Sequence, residues 1–111
     1  MNKLFAYGTL LEVPIQEKLF SRILKGKKDS LTGFRKSNIH CLENIDGEEI
    51  YSTYPAISKS GSNNEVLEGY LYELTDKELK IADKYEGLEY QRISILTNNG
   101  HQAYVYIKKP D

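Results

Sequence analysis

The sequence predicts an α+β domain built on a curved or closed antiparallel sheet that carries two helices. About five or six short segments are rich in β-branched and aromatic residues, and two others show helical periodicity. The chain has 111 residues, a length typical of one domain. No repeat or linker divides it, so residues 1–111 are expected to form a single domain.

Composition and charge limit the partners that the chain is expected to have. The sequence holds 15 basic and 16 acidic residues, which gives a net charge of -1. This balance argues against nucleic acid and anionic membranes as partners. No apolar run approaches the length of a membrane span, and the first residues lead into a strand rather than a signal peptide. We therefore expect a soluble, cytoplasmic protein.

Cysteine and histidine are scarce. Cys41 is the only cysteine and cannot form an internal disulfide, and the chain has two histidines. A Cys/His metal site is therefore not expected.

The first predicted strand, Lys3 to Tyr7, is interrupted at once by Gly8. The junction Tyr7-Gly8-Thr9-Leu10 should present free backbone N–H groups and one flexible glycine. Such a turn can bind a carboxylate or an oxyanion, although most turns of this kind are purely structural.

The first helix is predicted to open at Pro14, because proline is favoured at a first helical position. Its apolar face would contain Ile15, Leu19 and Ile23. Gly26 should end it, and the surrounding Lys25, Lys27 and Lys28 are then expected to be a solvated helix C-terminus rather than a binding patch.

The middle of the chain is predicted to contain a hairpin with its turn at Asp46-Gly47. Its arms would be residues 39–43 and 49–53. His40 and Cys41 are neighbours, so in one strand they would face opposite ways. Both are interpreted as structural residues.

Three further strands are expected in the second half. Val66 to Leu74 alternates in polarity over its whole length. Tyr90 to Thr97 and His101 to Ile107 flank Asn98-Asn99-Gly100, which is a hairpin signal.

The second helix has the clearest boundaries in the sequence. Thr75 and Glu78 form a capping box, so the helix should begin at Asp76. Gly87 offers a left-handed stop, which predicts that the helix runs to about Glu86.

Glu86 is the candidate catalytic residue. At 100° per residue it shares a stripe with Leu79 and Ala82, so it points where the apolar residues point. It also lies at the negative end of the helix dipole. Desolvation and the dipole should both raise its pKa, as suits a general base or acid. The alternative is a solvated residue at a fraying helix end.

The aromatic composition is unusual, with nine tyrosines, three phenylalanines and no tryptophan. It suggests an interior or a cavity lined with hydroxyl groups, although half-exposed tyrosines on strands are the commoner explanation.

Four short motifs, taken in order, resemble the γ-glutamylcyclotransferase-like superfamily, and in particular its γ-glutamylamine cyclotransferase and AIG2-like branch. The resemblance spans nearly the whole chain and implies a small mixed, largely antiparallel β-barrel with flanking helices. The motifs are Tyr7-Gly8-Thr9-Leu10, Tyr54-Pro55-Ala56, Glu68-Gly69-Tyr70-Leu71-Tyr72, and Asp83-Lys84-Tyr85-Glu86-Gly87 with Tyr90 and Arg92.

The resemblance implies an enzyme that releases 5-oxoproline from a γ-glutamyl amine or γ-glutamyl amino acid, a lyase or acyl transferase in type. The catalytic glutamate of the family falls on Glu86, and its substrate-binding loop on Tyr7, Gly8, Thr9 and Leu10. The substrate α-amine is the nucleophile, so no cofactor or metal is expected. The expected partner is the small γ-glutamyl substrate, and the protein is expected to be a monomer or a weak homodimer.

Subsidiary roles and rival functions remain open at this point. Tyr90 and Tyr104 are candidates to orient Glu86 or the substrate, and Arg92 is either a counter-charge or part of a surface salt bridge. One alternative function is a non-catalytic member of the fold that binds a small ligand. Another is a tyrosine-rich β-barrel module for protein interaction, which predicts a flat tyrosine patch rather than a tyrosine-lined pocket.

Overall fold

A computed structural model describes residues 1–109. Within them the chain forms seven strands, two α-helices and one short 3-10 turn at Thr9–Leu11. The helices and strands are β1 (Asn2–Ala6), α1 (Val13–Phe20), β2 (Gly26–Thr32), β3 (Phe34–Ile45), β4 (Glu48–Lys59), β5 (Val66–Leu74), α2 (Asp76–Glu86), β6 (Tyr90–Leu96) and β7 (Gln102–Lys108).

The strands form two sheets. Five strands pair in the order β2-β5-β1-β7-β6, and β3 and β4 pair only with each other. All pairs are antiparallel except β1 with β7. The predicted α+β class, with largely antiparallel strands and flanking helices, is therefore confirmed. The strands form two sheets rather than one closed barrel.

The five-stranded sheet is covered on both faces, because successive side chains of a strand point to opposite sides. Leu4 and Ala6 of β1 pack against the helices, while Phe5 between them packs against the β3–β4 hairpin. The buried residues on the helix side are Leu4, Ala6, Leu10, Phe20, Leu24, Tyr72, Leu74, Leu79, Ala82 and Tyr106. Those on the hairpin side are Phe5, Leu31, Ile57, Leu67, Leu71, Ala103, Val105 and Ile107.

The predicted boundaries of α2 are confirmed. The Thr75 hydroxyl accepts a hydrogen bond from the Glu78 N–H at 3.1 Å, and the Glu78 carboxylate accepts one from the Thr75 N–H at 2.9 Å. Arg22 pairs with Glu78 at 2.8 Å and contributes most to lowering the pKa of Glu78 to about 2. Gly87 stops the helix with φ of 79°. Both ends of α2 are therefore fixed by local interactions.

The predicted end of α1 is wrong. The helix stops at Phe20 because Ser21 adopts a left-handed conformation with φ of 56°. The Gln16 side chain, which is buried, accepts a hydrogen bond from the Leu24 N–H at 2.9 Å and holds the chain after this stop. Lys27 and Lys28 consequently lie in strand β2 and not at a helix C-terminus.

The hairpin in the middle of the chain is longer than predicted. Its turn is at Asp46-Gly47, as expected, with φ of 52° and 82°. Each arm has 12 residues, however. Polar residues facing solvent on both arms obscured their length.

No helix within residues 1–109 has the length and apolar character needed to cross a membrane.

Gly69 allows the central strands to pack closely, and this gives a test of the core. A Cβ at this position would collide with the Ala6 carbonyl oxygen and lie 2.7 Å from the Phe5 ring. Phe5 is almost fully buried, so Gly69→Ala should lower the free energy of unfolding by about 1–3 kcal/mol, the usual cost of overpacking. Denaturant unfolding measures this change. Glu68→Ala, at an exposed neighbouring position on the same strand, is the control, and equal losses in the two variants would contradict the packing argument.

Candidate active site

A pocket of about 320 Å³ opens at the end of β1, between the β3–β4 hairpin and the C-terminus of α2. Four parts of the chain supply its walls. They are residues 5–10 of β1 and the turn after it, then Cys41, Glu43, Tyr54 and Pro55 of the hairpin, then Tyr85, Glu86, Glu89 and Tyr90, and finally Tyr106 of β7.

All five residues selected from the sequence as the site line this pocket. Tyr7, Gly8, Thr9 and Leu10 follow the first strand, and Glu86 is the last residue of α2. They meet because β1 is the centre of the sheet and α2 packs on the helix side of β1 and β5. The fold thus brings two distant segments to one cavity.

The Glu86 carboxylate is half-buried, and this burial raises its pKa to about 7. On the same helix, Leu79 and Ala82 are buried, as the predicted stripe requires. The ion pairs formed within the described residues involve other carboxylates, those of Glu78, Glu65 and Asp83. Glu86 is therefore poised to gain and lose a proton near neutral pH.

The turn after β1 is a single 3-10 turn. The carbonyls of Gly8 and Thr9 accept hydrogen bonds from the next turn of chain, each at 3.0 Å. The N–H groups of Thr9 and Leu10 donate to no described residue, as is usual for the first N–H groups of a helix. Both residues line the pocket.

Gly8 lies close to a residue on the opposite wall of the pocket. Its φ of -126° is open to any residue. A Cβ there would lie 3.1 Å from the Pro55 side chain on the hairpin. The glycine therefore lets the turn approach the opposite wall of the pocket.

Five of the nine tyrosines line the pocket, and their hydroxyls are held by protein groups. The Tyr7 hydroxyl donates to the Tyr106 carbonyl at 2.6 Å, and the Tyr90 hydroxyl donates to the Pro55 carbonyl at 2.7 Å. The Tyr85 hydroxyl lies 2.8 Å from the hydroxyl of Thr9. These contacts fix the walls on both sides of Glu86.

The pKa values of the buried tyrosines are raised. Burial is the main cause for Tyr7, whose pKa rises well above its ordinary value, with Glu86 as the next cause. Burial and the Glu86 charge raise the pKa of Tyr90 to about 12. These phenols therefore stay protonated while Glu86 titrates.

A chain of contacts runs from the pocket to the surface through Asp83. The Tyr106 hydroxyl donates to the Asp83 carboxylate at 2.7 Å, and Arg92 donates to both oxygens of that carboxylate at 2.8 and 3.2 Å. The Arg92 guanidinium lies 4.4 Å from the centre of the Tyr104 ring. Arg92 is thus part of a salt bridge, the second of the two roles expected for it.

The expectation that Tyr104 orients Glu86 or the substrate is wrong, because this ring lies under Arg92 and outside the pocket. Tyr90 does line the pocket, but its hydroxyl is bound to Pro55. Tyr90 therefore holds the hairpin wall in position through its hydrogen bond to Pro55.

Glu43 and Cys41 of the hairpin wall were not identified as pocket residues from the sequence, whereas Tyr54 and Pro55 lie in one of the motifs that carry the resemblance. Glu43 accepts hydrogen bonds from the Tyr54 hydroxyl at 2.7 Å and the Ser52 hydroxyl at 2.8 Å, and it lines the pocket with Cys41. Cys41, which the sequence analysis interprets as structural, thus also lines the pocket. Counting pairs back from the Asp46-Gly47 turn places Cys41 opposite Ser52 and Glu43 opposite Ile50. This register could have shown that Cys41 and Glu43 lie on the same face of the hairpin as Ser52, because paired residues share a face.

The acidic, histidine and cysteine residues of the described chain form no group of three that could hold a metal ion.

The sequence matches the family described as gamma-glutamyl cyclotransferase, AIG2-like, over residues 4–111. The chain belongs to this family. Two of its relatives are AIG2-like proteins D and C of Arabidopsis thaliana, which are 29% and 30% identical over 100% and 97% of this chain. The chain spans 71% and 60% of the lengths of these two proteins.

Solved structures share the fold. A solution structure of an Arabidopsis thaliana protein has a TM-score of 0.72 at 21% identity and covers 99% of this chain and 71% of its own. A structure described as gamma-glutamyl cyclotransferase has a TM-score of 0.70 at 15% identity and covers 97% and 66%. At this identity the likeness concerns the fold alone.

The raised pKa of Glu86 predicts how stability depends on pH. The folded-state pKa of about 7 lies above the ordinary value of 4.5, so the unfolded state loses this proton first as the pH rises. Ionisation then favours unfolding, and the Glu86 contribution to stability falls between about pH 4.5 and pH 7. Glu86→Gln cannot ionise and should be more stable than the parent above pH 7, by of the order of 2 kcal/mol after allowance for partial exposure.

Denaturant unfolding at several pH values measures this difference. The advantage of Glu86→Gln should vanish near pH 4, where both side chains are neutral. Glu17→Gln, at an exposed position of α1, is the matched control and should show no such pH dependence. A difference between Glu86→Gln and the parent that is constant with pH would contradict the burial argument.

Proposed function

We propose that the protein converts a γ-glutamyl amine or γ-glutamyl amino acid to 5-oxoproline and the free amine. The observation that carries this proposal is the half-buried Glu86 carboxylate facing the turn of residues 7–10 across one pocket. Membership of the gamma-glutamyl cyclotransferase, AIG2-like family supports it. The substrate would be a small molecule, and no cofactor takes part in the reaction as proposed.

The reaction is an intramolecular acyl transfer. The substrate α-amine attacks its own γ-carbonyl carbon, a C–N bond forms to close the five-membered lactam, and the C–N bond to the departing amine breaks. The α-ammonium gives up two protons in the course of the reaction, and the departing nitrogen gains two to leave as an ammonium. Protons and charge balance, and no water or redox partner is consumed.

Glu86 is the proposed proton carrier. Because the pKa of Glu86 is about 7, its side chain is ionised in a large fraction of the molecules at neutral pH. The ionised form can take a proton from the α-ammonium. The carboxylic acid so formed can then protonate the departing nitrogen. A group whose pKa lies near the working pH serves well in both directions.

The turn of residues 7–10 is the proposed anchor for the γ-glutamyl group. Its free N–H groups at Thr9 and Leu10 suit the substrate α-carboxylate or the oxyanion that develops on the γ-carbonyl. Holding the γ-glutamyl chain in a curled conformation brings the amine to the carbonyl, and such proximity supplies much of the lowering of the barrier.

The protein-interaction module is less well supported than the enzyme. Five of the nine tyrosines line the pocket and have hydroxyls bound to protein groups. They are therefore not arranged as a flat contact patch. The non-catalytic ligand-binding alternative shares the same pocket and differs only in turnover.

An assay of 5-oxoproline release tests the proposal directly. The panel contains γ-glutamyl amines, γ-glutamyl amino acids and γ-glutamyl peptides, each followed for both products. We expect stoichiometric release of 5-oxoproline and amine from at least one class. Binding of these compounds without release of either product would favour the non-catalytic alternative.

Glu86→Gln should remove turnover while leaving the fold intact, because the amide cannot accept the proton. A loss of about 10²–10⁴-fold in kcat is expected for a general base. In the parent, kcat/KM should rise with pH along a limb near pH 7, which is where Glu86 ionises. Glu17→Gln is again the control, and retained turnover in Glu86→Gln would mean that the base lies elsewhere.

A further inference from the structure

A cation lies behind one wall of the pocket without lining it. The wall residue is Tyr106, whose hydroxyl donates a hydrogen bond to the Asp83 carboxylate at 2.7 Å. The same Asp83 oxygen accepts a hydrogen bond from the Arg92 Nε at 2.8 Å. The lining of the pocket includes no lysine or arginine among the described residues. One carboxylate therefore links the Arg92 guanidinium to the pocket that Glu86 lines.

Two further contacts hold Arg92 in this position. Its Nη2 donates to the second Asp83 oxygen at 3.2 Å, so the ion pair is bidentate. The guanidinium also lies over the Tyr104 ring, 4.4 Å from its centre. A bidentate pair fixes the orientation of a guanidinium as well as its distance from the carboxylate. Asp83 and Tyr104 thus determine where the positive charge of Arg92 is placed.

The Tyr106 hydroxyl is affected by all the charges concerned. Burial is the main cause that raises the pKa of Tyr106, and Asp83 and Glu86 raise it further, whereas the charge of Arg92 lowers it. Asp83 also lies three residues before Glu86 on α2, a spacing that places the two Cβ atoms about 5–6 Å apart on one side of the helix. Asp83, Arg92 and Glu86 therefore surround one phenol.

The Asp83–Arg92 pair determines the charge that Glu86 experiences from this side. Together the two side chains carry no net charge. An unpaired guanidinium close to Glu86 would favour the ionised carboxylate and lower its pKa. In the structure burial is the cause that acts on Glu86 and raises its pKa to about 7. The high proton affinity of Glu86 is thus compatible with a nearby arginine only because Asp83 neutralises that arginine.

The other titratable side chains of the pocket cannot replace this effect. Six of them are uncharged near pH 7, namely Tyr7 of β1, Cys41 and Tyr54 of the hairpin, Tyr85 of α2, Tyr90 of β6 and Tyr106 of β7. The remaining two besides Glu86 are Glu43 and Glu89. Both are acidic and cannot supply a positive charge, so Arg92 is the cation to be controlled.

We propose that Asp83 is a positioning residue that holds the Arg92 guanidinium against Tyr104 and away from the Glu86 carboxylate, so that Glu86 enters the reaction without a cationic partner. Asp83 does not line the pocket and acts through Arg92. A carboxylate paired with a cation is a weaker base for the substrate α-ammonium. The proton transfer itself rests on the proposed function, whereas the placement of charge can be measured without turnover.

Four proteins test this proposal, namely the parent, Asp83→Asn, Arg92→Gln and the double variant. Asp83→Asn leaves an unpaired cation and should lower the pKa of Glu86 by about one pH unit, while Arg92→Gln leaves an unpaired anion and should raise it by about as much. The double variant has the charge balance of the parent and should return the pKa to the parent value. Carbon-13 NMR of the carboxyl groups follows the titration, and the signal of Glu86 is the one that Glu86→Gln removes.

A purely structural role for the ion pair predicts a different pattern. If Asp83 and Arg92 only fastened the end of α2, either single variant would expose Glu86 and bring its pKa down towards the ordinary value of 4.5. Changes of the same sign in the two single variants, no change in either, or a double variant that does not return to the parent would overturn the proposal.

Glu65→Gln is the matched control. It breaks the Arg35–Glu65 ion pair, whose residues do not line the pocket, and should leave the titration of Glu86 unchanged. Thermal unfolding checks that each variant is folded. If Asp83→Asn does not fold, the sign of the change in Arg92→Gln decides between the two roles.

Turnover separates this inference from the proposed function. With an active γ-glutamyl substrate, the limb of kcat/KM near pH 7 should move to lower pH in Asp83→Asn and to higher pH in Arg92→Gln. A limb that stays in place in both variants would overturn Asp83 as a positioning residue for the reaction. Absence of 5-oxoproline from every substrate would overturn the proposed function, and the NMR titrations would still decide whether Asp83 controls the charge around Glu86.

Discussion

The arrangement of the pocket depends on one unfavourable feature, the burial of the Glu86 carboxylate without a compensating cation among the residues that the structure describes. Burying an ion costs free energy unless a partner or a proton neutralises it. Here burial is the cause that raises the pKa to about 7. Other interactions of the fold must offset this free energy and keep Glu86 in place. The capping box at Thr75, the buried face of α2 and the stop at Gly87 do so.

The polar groups around Glu86 form their hydrogen bonds and ion pairs with other protein groups and not with Glu86. Tyr7 and Tyr90 bind backbone carbonyls, Tyr106 binds Asp83, and Arg92 binds the same Asp83 carboxylate. The nearby cation and phenols are thus occupied before a ligand enters. This leaves a polar cavity in which the Glu86 carboxylate has a pKa of about 7, a common arrangement for proton transfer.

The sequence predicted most clearly what is determined locally. The capping box and Gly87 set both ends of α2, and the Asp46-Gly47 pair set the turn of the hairpin, because each depends on a few consecutive residues. The end of α1 was misplaced because Ser21 gives little sign of a left-handed stop and because Gln16, several residues away, ties down Leu24. Interactions of this range are not visible in periodicity.

The residues of the candidate site also divide into those that local sequence features indicated and those that depend on longer-range contacts. Glu86 was found because a carboxylate on the apolar stripe of a helix is unusual, and the turn after β1 was assigned through its resemblance to the substrate-binding loop of the family. Cys41 and Glu43 of the hairpin wall were not found, because they face the pocket only through a register that extends well beyond the turn. Tyr104 was assigned wrongly because it shares a face of β7 with Tyr106, but only Tyr106 lines the pocket, while the Tyr104 ring packs against Arg92.

The separate pairing of β3 and β4 has a consequence for how such a protein can diversify. The hairpin is anchored to the sheet at its base, where Ile57 is buried, while most of its distal residues are exposed. Its backbone hydrogen bonds are made within the pair, since neither strand belongs to the five-stranded sheet. Changes along its outer half therefore leave the framework that holds Glu86 untouched. The wall that the hairpin supplies to the pocket can therefore change in shape and charge while the sheet and α2, which position Glu86, stay the same.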